Sequence, residues 1–295
     1  MSTARTTARN VAELVRLPAA LTVPGDVWAG AAWAGAGAGA GPAMPVGSVL
    51  LYWSGMALND WADREVDAVE RPERVIPSGR MSAGTALAVA GGLGAAGVAV
   101  TAAAGGRSAL KVSVPLALLV AAYDVVAKDS VAGPVVMAST RGLDVLLGAA
   151  AAPGAAALPA VATATHTVGV TLLSRGEVHG ARPAAAWAAV AATATATGLV
   201  VASALRGDGS EVPTAHRVAA VGFAAAYAAK VGGAQARAAQ QPDAGEVRKA
   251  TGAGIGGLTL LQAAWLAARG RLGTAAVVAG AGPLLKRAAG KVSPT

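Results

Sequence analysis

The run Asn59-Asp60-Trp61-Ala62-Asp63-Arg64-Glu65-Val66-Asp67 spaces three carboxylates by three and four residues, which on a helix puts Asp60, Asp63 and Asp67 on one face. Left bare, they repel one another. A divalent cation removes that repulsion, and a set of hard oxygens suits Mg2+, which keeps waters and binds phosphate oxygens alongside carboxylates. Asn59 adds a neutral oxygen at the head of the run. The competing reading of such spacing is a solvated helix end on which Arg64 and Arg71 act as partners. Other polar groups stand in short islands: Arg71-Pro72-Glu73-Arg74 running on to Pro77-Ser78-Gly79-Arg80, Tyr123-Asp124 with Lys128, Arg141 with Asp144, and Arg175-Gly176-Glu177-Val178-His179. Arg141 and Asp144 lie three residues apart on one helical face and can pair with each other. His166 and His216 have no convergent partners in the sequence and read as structural.

The elements that must hold these islands are membrane helices. The chain is 295 residues long, 54% hydrophobic and only 14% charged, an imbalance that a water-soluble domain of this length rarely carries. Between the charged islands lie apolar stretches of about 17 to 25 residues, the length that crosses about 30 Å of hydrocarbon. They fall at 14–40, 45–64, 82–104, 107–127, 132–152, 156–174, 183–205, 212–235, 246–268 and 271–289, the last two readable as a hairpin or as one span with a surface helix. Gly105-Gly106, Gly133-Pro134, Pro153-Gly154 and Pro183 punctuate the joints. With the N-terminus cytoplasmic, most of the 24 basic residues fall on the cytoplasmic side, so the net charge of +8 reports topology and needs no nucleic-acid partner. Arg5, Arg9 and Arg16 precede the first apolar stretch without a small-residue cleavage site, which predicts a retained segment and no signal peptide. The absence of cysteine excludes disulfides, thiolate metal sites and thiol nucleophiles. The small-residue runs 34–41 and 252–257 predict close helix packing. Gly252, Gly254 and Gly257 follow no strand, which argues against a dinucleotide loop.

The pattern NDxxDxxxD at the end of a membrane span, followed by a basic loop with Arg71-Pro72 and Pro77-Ser78-Gly79, resembles the UbiA superfamily of intramembrane prenyltransferases. The stretch from Gly133 to Gly148 looks like an EboC-type branch of it. The resemblance implies an all-α, multi-pass transmembrane bundle of about nine or ten helices, forming a single domain over 1–295. It implies Mg2+-dependent transfer of a prenyl group from a prenyl diphosphate to an acceptor in the lipid bilayer, with polar motifs on the cytoplasmic loops after the second, fourth and sixth spans. Asn59, Asp60, Asp63 and Asp67 would hold the metal; Asp60, Asp63, Asp67, Lys128 and Glu177 would be catalytic. Arg71, Arg74, Tyr123, Arg141, Asp144, Arg175 and His179 would bind substrate or diphosphate. Three departures stand out. Ala20 replaces a common Asn, with Asp26 a candidate replacement or a helix-pairing acid; Asp144 stands where the branch has Asn; and only Glu177 remains where relatives carry a second aspartate-rich motif. Two alternatives share the sequence features: a terpene cyclase of the same type, and a non-catalytic transporter or structural subunit whose acidic helix end binds a cation.

Overall fold

The computed structural model describes residues 3–35, 42–206 and 212–292, with side chains from residue 6 to 284. Most of the small-residue run 34–41, the end of the first expected span, and the side chains of Lys286, Arg287 and Lys291 lie outside the described residues. Those described are helical, with no strand among them.

A short amphipathic helix α1 (Thr3–Leu14) leads through the tight turn Leu17–Thr22 into α2 (Pro24–Trp33). There follow α3 (Ala43–Ala62), α4 (Arg64–Glu70), α5 (Ala83–Ala122), α6 (Gly133–Gly148), α7 (Ala157–Ser174), α8 (Pro183–Arg206), α9 (Thr214–Tyr227), α10 (Gly233–Gln240), α11 (Ala244–Ala267) and α12 (Leu272–Val292). Their starts follow from local chemistry. Ser82 Oγ accepts from Thr85 N at the head of α5, and Asp243 accepts from Gly245 N and Glu246 N at the head of α11. Proline at the first turns of α2, α6 and α8 costs no helical hydrogen bond there.

The long element α5 is two spans. At Gly106 the backbone leaves the helix (φ 60°, ψ −146°), a conformation open to glycine. On one arm Ser54 donates to the Ala90 carbonyl (2.7 Å) and Gly47 packs on Thr101, so that arm runs antiparallel to α3. On the other, Gly55 faces Val120 and Asn59 reaches Asp124, so it runs parallel to α3. The arms therefore form the hairpin that the break at Gly105-Gly106 predicts. Three apolar helical stretches, Ala83–Ala127, Pro153–Ser174 and Pro183–Arg206, are long enough to cross a membrane, and the first supplies two crossings.

Small residues decide where helices touch. A methyl group at Gly30 would lie 1.8 Å from the Val145 carbonyl oxygen, and one at Gly148 1.9 Å from that of Val27, so α2 and α6 meet backbone to backbone. The glycines of 252–257 lie inside α11; Gly254 packs on Val170 and Gly257 on Val231, closing a helix contact as expected, whereas Gly252 is exposed and meets no neighbour. At the far end of α11, Trp265 is fully buried, meets Trp33 edge-on at 5.1 Å and accepts the Trp33 Nε1 proton on its carbonyl (3.1 Å). That contact ties the last third of the chain to the first helix pair. The turn after α11 closes through Arg271 N to the Leu266 carbonyl (3.0 Å), and α12 packs back on α11, which settles the last two spans as a hairpin.

Candidate active site

The loops after α3, α5, α7 and α10 gather at one end of the bundle. Arg175 donates to the Lys128 carbonyl (3.0 Å) and to that of Ser130, Ala181 N to the Pro242 carbonyl (2.9 Å), and Arg248 to the Glu177 carbonyl (2.7 Å). The polar islands of the sequence thus meet in space.

Within this end the acidic run is not a continuous helical face. α3 stops at Ala62, Asp63 takes a bend conformation (φ −86°, ψ 0°), and α4 restarts at Arg64. The bend splits the three carboxylates. Asp60 and Asp67, both buried, converge on one atom: Arg74 Nη1 lies 3.1 Å from Asp60 Oδ1 and 2.6 Å from Asp67 Oδ2. Asp63 turns away and takes the Lys128 ammonium. Arg71 stands 3.6 Å from Asp67 and is half exposed. The expectation that all three acids share one face is corrected accordingly, and no set of three acidic or histidine side chains converges among the described residues. The pair that does converge holds a single positive atom between two carboxylate oxygens. An all-oxygen donor set closing on one cationic point has the chemistry that Mg2+ requires, the guanidinium nitrogen standing where a cation's charge would be.

Two groups that the motif reading left out complete the cluster. Arg16 donates to Asp60 (2.8 Å) and to Asn59 Oδ1 (3.4 Å), and does so from a left-handed backbone (φ 47°, ψ 56°), the one non-glycine positive φ among the described residues. Such a conformation costs of order 1 kcal/mol and is held only where surroundings enforce it. Asp124, buried at the start of a π-helical turn (Tyr123–Ala127), accepts from Asn59 Nδ2 (3.3 Å). Its signal was present beside Tyr123; Tyr123 itself lies within electrostatic reach of Asp63, Asp124 and Arg175. The conformation of Arg16 leaves no mark in the sequence.

The loop 71–80 that carries Arg74 is clamped from outside the membrane spans. Arg80 makes paired hydrogen bonds to Glu13 (2.6 and 2.7 Å) and one to the Glu73 carbonyl (2.6 Å), while Asn10 donates to the Arg80 carbonyl (3.1 Å). The Arg80 guanidinium, with Arg9 adding to it, holds the Glu13 carboxyl below its ordinary range.

A second polar layer lies deeper. Arg141 does not pair with Asp144, as its helix spacing predicts. It pairs across the α2–α6 contact with Asp26 at 2.7 Å, because the glycine contact brings those helices together. Asp26 is completely buried and also accepts from Gln262 (2.7 Å); it is the helix-pairing acid. Asp144 accepts instead from Ser48 on α3. His166 shares a 2.7 Å hydrogen bond with Tyr227 inside the bundle, consistent with its structural reading. Glu177 is half-buried and reaches its neighbours through its carbonyl, and His179 is exposed on the same loop.

Comparison with known proteins bears on the family and the fold. A profile of the UbiA prenyltransferase family matches residues 23–241. The chain is similar to the digeranylgeranylglyceryl phosphate synthase of Methanothrix thermoacetophila, with 53% identity over 47 residues, 16% of this chain and 18% of that one. It is also similar to the protein of the same name from Methanopyrus kandleri, with 50% identity over 54 residues, 18% of this chain and 20% of that one. The aligned segment thus spans about a fifth of these relatives' length. The fold is shared with a solved digeranylgeranylglyceryl phosphate synthase in membranes, TM-score 0.60, 17% identity, covering 90% of this chain and 99% of that one. A UbiA homologue from Aeropyrum pernix K1 in its apo form gives a TM-score of 0.61 at 18% identity, covering 91% and 98%.

Proposed function

The chain belongs to the UbiA prenyltransferase family, and on that premise we propose that it transfers a prenyl group from a prenyl diphosphate to an acceptor within the membrane, releasing diphosphate. The observation that carries this reading is the convergence of Asp60 and Asp67 on one cationic point at the mouth of a membrane bundle, with Arg16 and Lys128 beside it. Carboxylates closing on a cation, with a further guanidinium and an ammonium held beside them by the same acidic run, form a site for a polyanion. Asp60, Asp67 and Asn59, with Asp63 once released from Lys128, would hold Mg2+, which when bound supplies Lewis-acid masking of the diphosphate charge.

The residues of this chain account for the remaining work. Arg16, Arg74 and Lys128, held at the mouth by the same acids until a cation takes their place, then present donors where negative charge grows as the allylic carbon–oxygen bond breaks. Arg175, spanning the Lys128 and Ser130 carbonyls, holds the loop that positions Lys128. The prenyl chain has a sleeve in a groove of about 390 Å3 between the start of α2, α3 and α12, lined by Leu17, Leu21, Trp28, Val49, Trp53 and Val277. Leu17, Leu21 and Val277 are exposed on the outer face of the bundle, so the groove faces lipid. The acceptor's nucleophile closes on the allylic carbon as the carbon–oxygen bond breaks, its proton passes to water at the mouth, and diphosphate departs toward the charged mouth, which this reading places at the cytoplasmic surface.

The test is release of diphosphate from a panel of prenyl diphosphates by the protein in lipid nanodiscs, with and without added hydroxyl and phenol acceptors and with Mg2+ or EDTA, followed by the mass of the product. Metal-dependent release with a product heavier by the prenyl group supports transfer. A cyclised hydrocarbon formed without acceptor replaces transfer with cyclisation, and no release in either condition rejects diphosphate chemistry.

A further inference from the structure

α3 and the second arm of α5 run parallel, and two rungs join them: Asn59 with Asp124 and Asp63 with Lys128, each pair 65 positions apart. Between Asp124 and Lys128 the arm is a π-helical turn, closed by Lys128 N on the Tyr123 carbonyl (2.9 Å). Such turns are rare and concentrate at functional sites. Lys128 at the shallower rung serves the departing diphosphate, whereas Asp124 at the deeper rung has no part in that step. It is 4% exposed at the end of a membrane span, where an acid is costly to keep. Gly55, one turn before Asn59 on α3, makes the rung possible. A methyl group there would lie 2.7 Å from Val120 Cγ1 and 3.7 Å from Asp124 Oδ2, so a larger side chain would push the arm away.

What the deeper rung does follows from the chemistry of an amide. The Asn59 side chain has an acceptor oxygen and a donor NH2 group of nearly equal size, so its neighbours decide which way it faces. On one side Asp124 Oδ1 accepts from Asn59 Nδ2 (3.3 Å); on the other the Arg16 guanidinium, which can only donate, meets Asn59 Oδ1 (3.4 Å). Both neighbours demand the same orientation. Arg16 Nη2 also lies 2.8 Å from Asp60 Oδ1, which is shared with Arg74, so the Asn59 oxygen joins the oxygens that surround the cationic cluster. A metal ion that displaced Arg16 would remove one of the two orienting neighbours and leave Asp124 as the other. Reversing the amide would turn its NH2 group, which cannot ligate a cation, toward the site.

We propose that Asp124 is a positioning residue: by accepting the amide proton of Asn59 it holds the Asn59 oxygen toward the cation site at the head of the acidic run. The role rests on the prenyl-transfer reading and on the fit of that site to Mg2+. Asp124 acts through Asn59 and touches neither metal nor substrate.

The experiment measures binding of Mn2+, a hard cation that accepts the same oxygen ligands as Mg2+, by electron paramagnetic resonance on the full chain in nanodiscs. Asp124→Ala is expected to weaken Mn2+ binding about tenfold, the scale for losing the partner that orients a ligand, and Asn59→Ala by a similar factor. The double variant should bind no more weakly than either single one, because without Asn59 there is nothing for Asp124 to orient. Asp124→Asn, whose amide oxygen still accepts, should stay within about threefold of wild type. Should Asp124→Ala fail to fold, Asp124→Leu, similar in size and without an acceptor, takes its place in the cycle. An affinity of the Ala or Leu variant within about threefold of wild type overturns the proposal. So does an additive loss of about a hundredfold in the double variant, a loss in Asp124→Asn equal to that in Asp124→Ala, or a wild type that binds no Mn2+. Diphosphate release by the wild type is followed in parallel: release alongside a failed cycle removes the role of Asp124 alone, whereas neither release nor Mn2+ binding removes the prenyl-transfer reading with it.

Discussion

The loops after α3 and after α7 sit at the same end of the bundle and are both rich in charge, yet they spend it differently. In the first, side chains meet side chains: Asp60 with Arg16 and Arg74, Asp67 with Arg74, Asp63 with Lys128. In the second, side chains meet backbone: Arg175 caps the carbonyls of Lys128 and Ser130, and the Glu177 carbonyl takes Arg248. A carboxylate–cation cluster stores electrostatic potential that a polyanion with its counter-cation can exchange for. A guanidinium bound to carbonyls of a neighbouring loop ties two connections together and has little to exchange. The asymmetry is one of partners: the acid–base pairs gather on α3, α4 and the loops beside them, while the side chains of the other loop tie backbone to backbone.

The strongest way to break that contrast is to remove the acids. Asp60→Ala or Asp67→Ala is expected to lower diphosphate release by about 1,000-fold or more, a loss of about 4 kcal/mol in transition-state stabilisation. The folded protein should remain in the membrane fraction with unchanged circular dichroism, since each removed carboxylate leaves Arg74 near the rim, where water can solvate it. Activity within tenfold of wild type in both variants would place the diphosphate elsewhere. The mirror experiment sharpens the other side. Glu177→Gln keeps the carbonyl that Arg248 uses and should change turnover less than about threefold, whereas Arg175→Ala should lower the melting temperature by a few degrees, the scale of one or two hydrogen bonds to a charged donor. A large loss of turnover in Glu177→Gln would show that the second loop does contribute an acid after all.

Much of this was legible from residues alone, and the unread part has physical causes. Hydropathy located the crossings within Ala83–Ala127, Pro153–Ser174 and Pro183–Arg206, and Gly105-Gly106 located the turn that makes α5 a hairpin, because lipid imposes a length and glycine permits a positive φ. The pairing of Arg141 was misread because sequence spacing shows neighbours on one helix and is blind to a partner 115 positions away, which the Gly30 and Gly148 contact delivers. Asp63 was misplaced because periodicity assumes an unbroken helix, and the bend at that residue has no glycine or proline to announce it. Arg16 and Asp124 entered the site through tertiary position: one by a strained backbone, the other by the pairing of α3 with the parallel arm of α5.

The clamp that holds the reactive loop offers the finest test of how the two regions differ, because it lies outside the spans and titrates. Arg80 lowers the Glu13 pKa in the folded protein. A depressed carboxylate pKa contributes stability that is fully present above the unfolded-state value and is lost as pH falls through the lower, folded value. The Glu13–Arg80 contact is partly exposed, so its contribution is small, about 0.5 kcal/mol at neutral pH. Glu13→Gln should therefore melt about a degree or two below wild type at neutral pH, and the gap should close as the pH is taken below the ordinary carboxylate range. Because Arg80 and Asn10 anchor the loop bearing Arg74, the same variant should raise KM for the prenyl diphosphate slightly while leaving the Arg175 clasp untouched. A stability gap that persists unchanged into acid would mean that Glu13 acts through packing, and the electrostatic account of the clamp would fall.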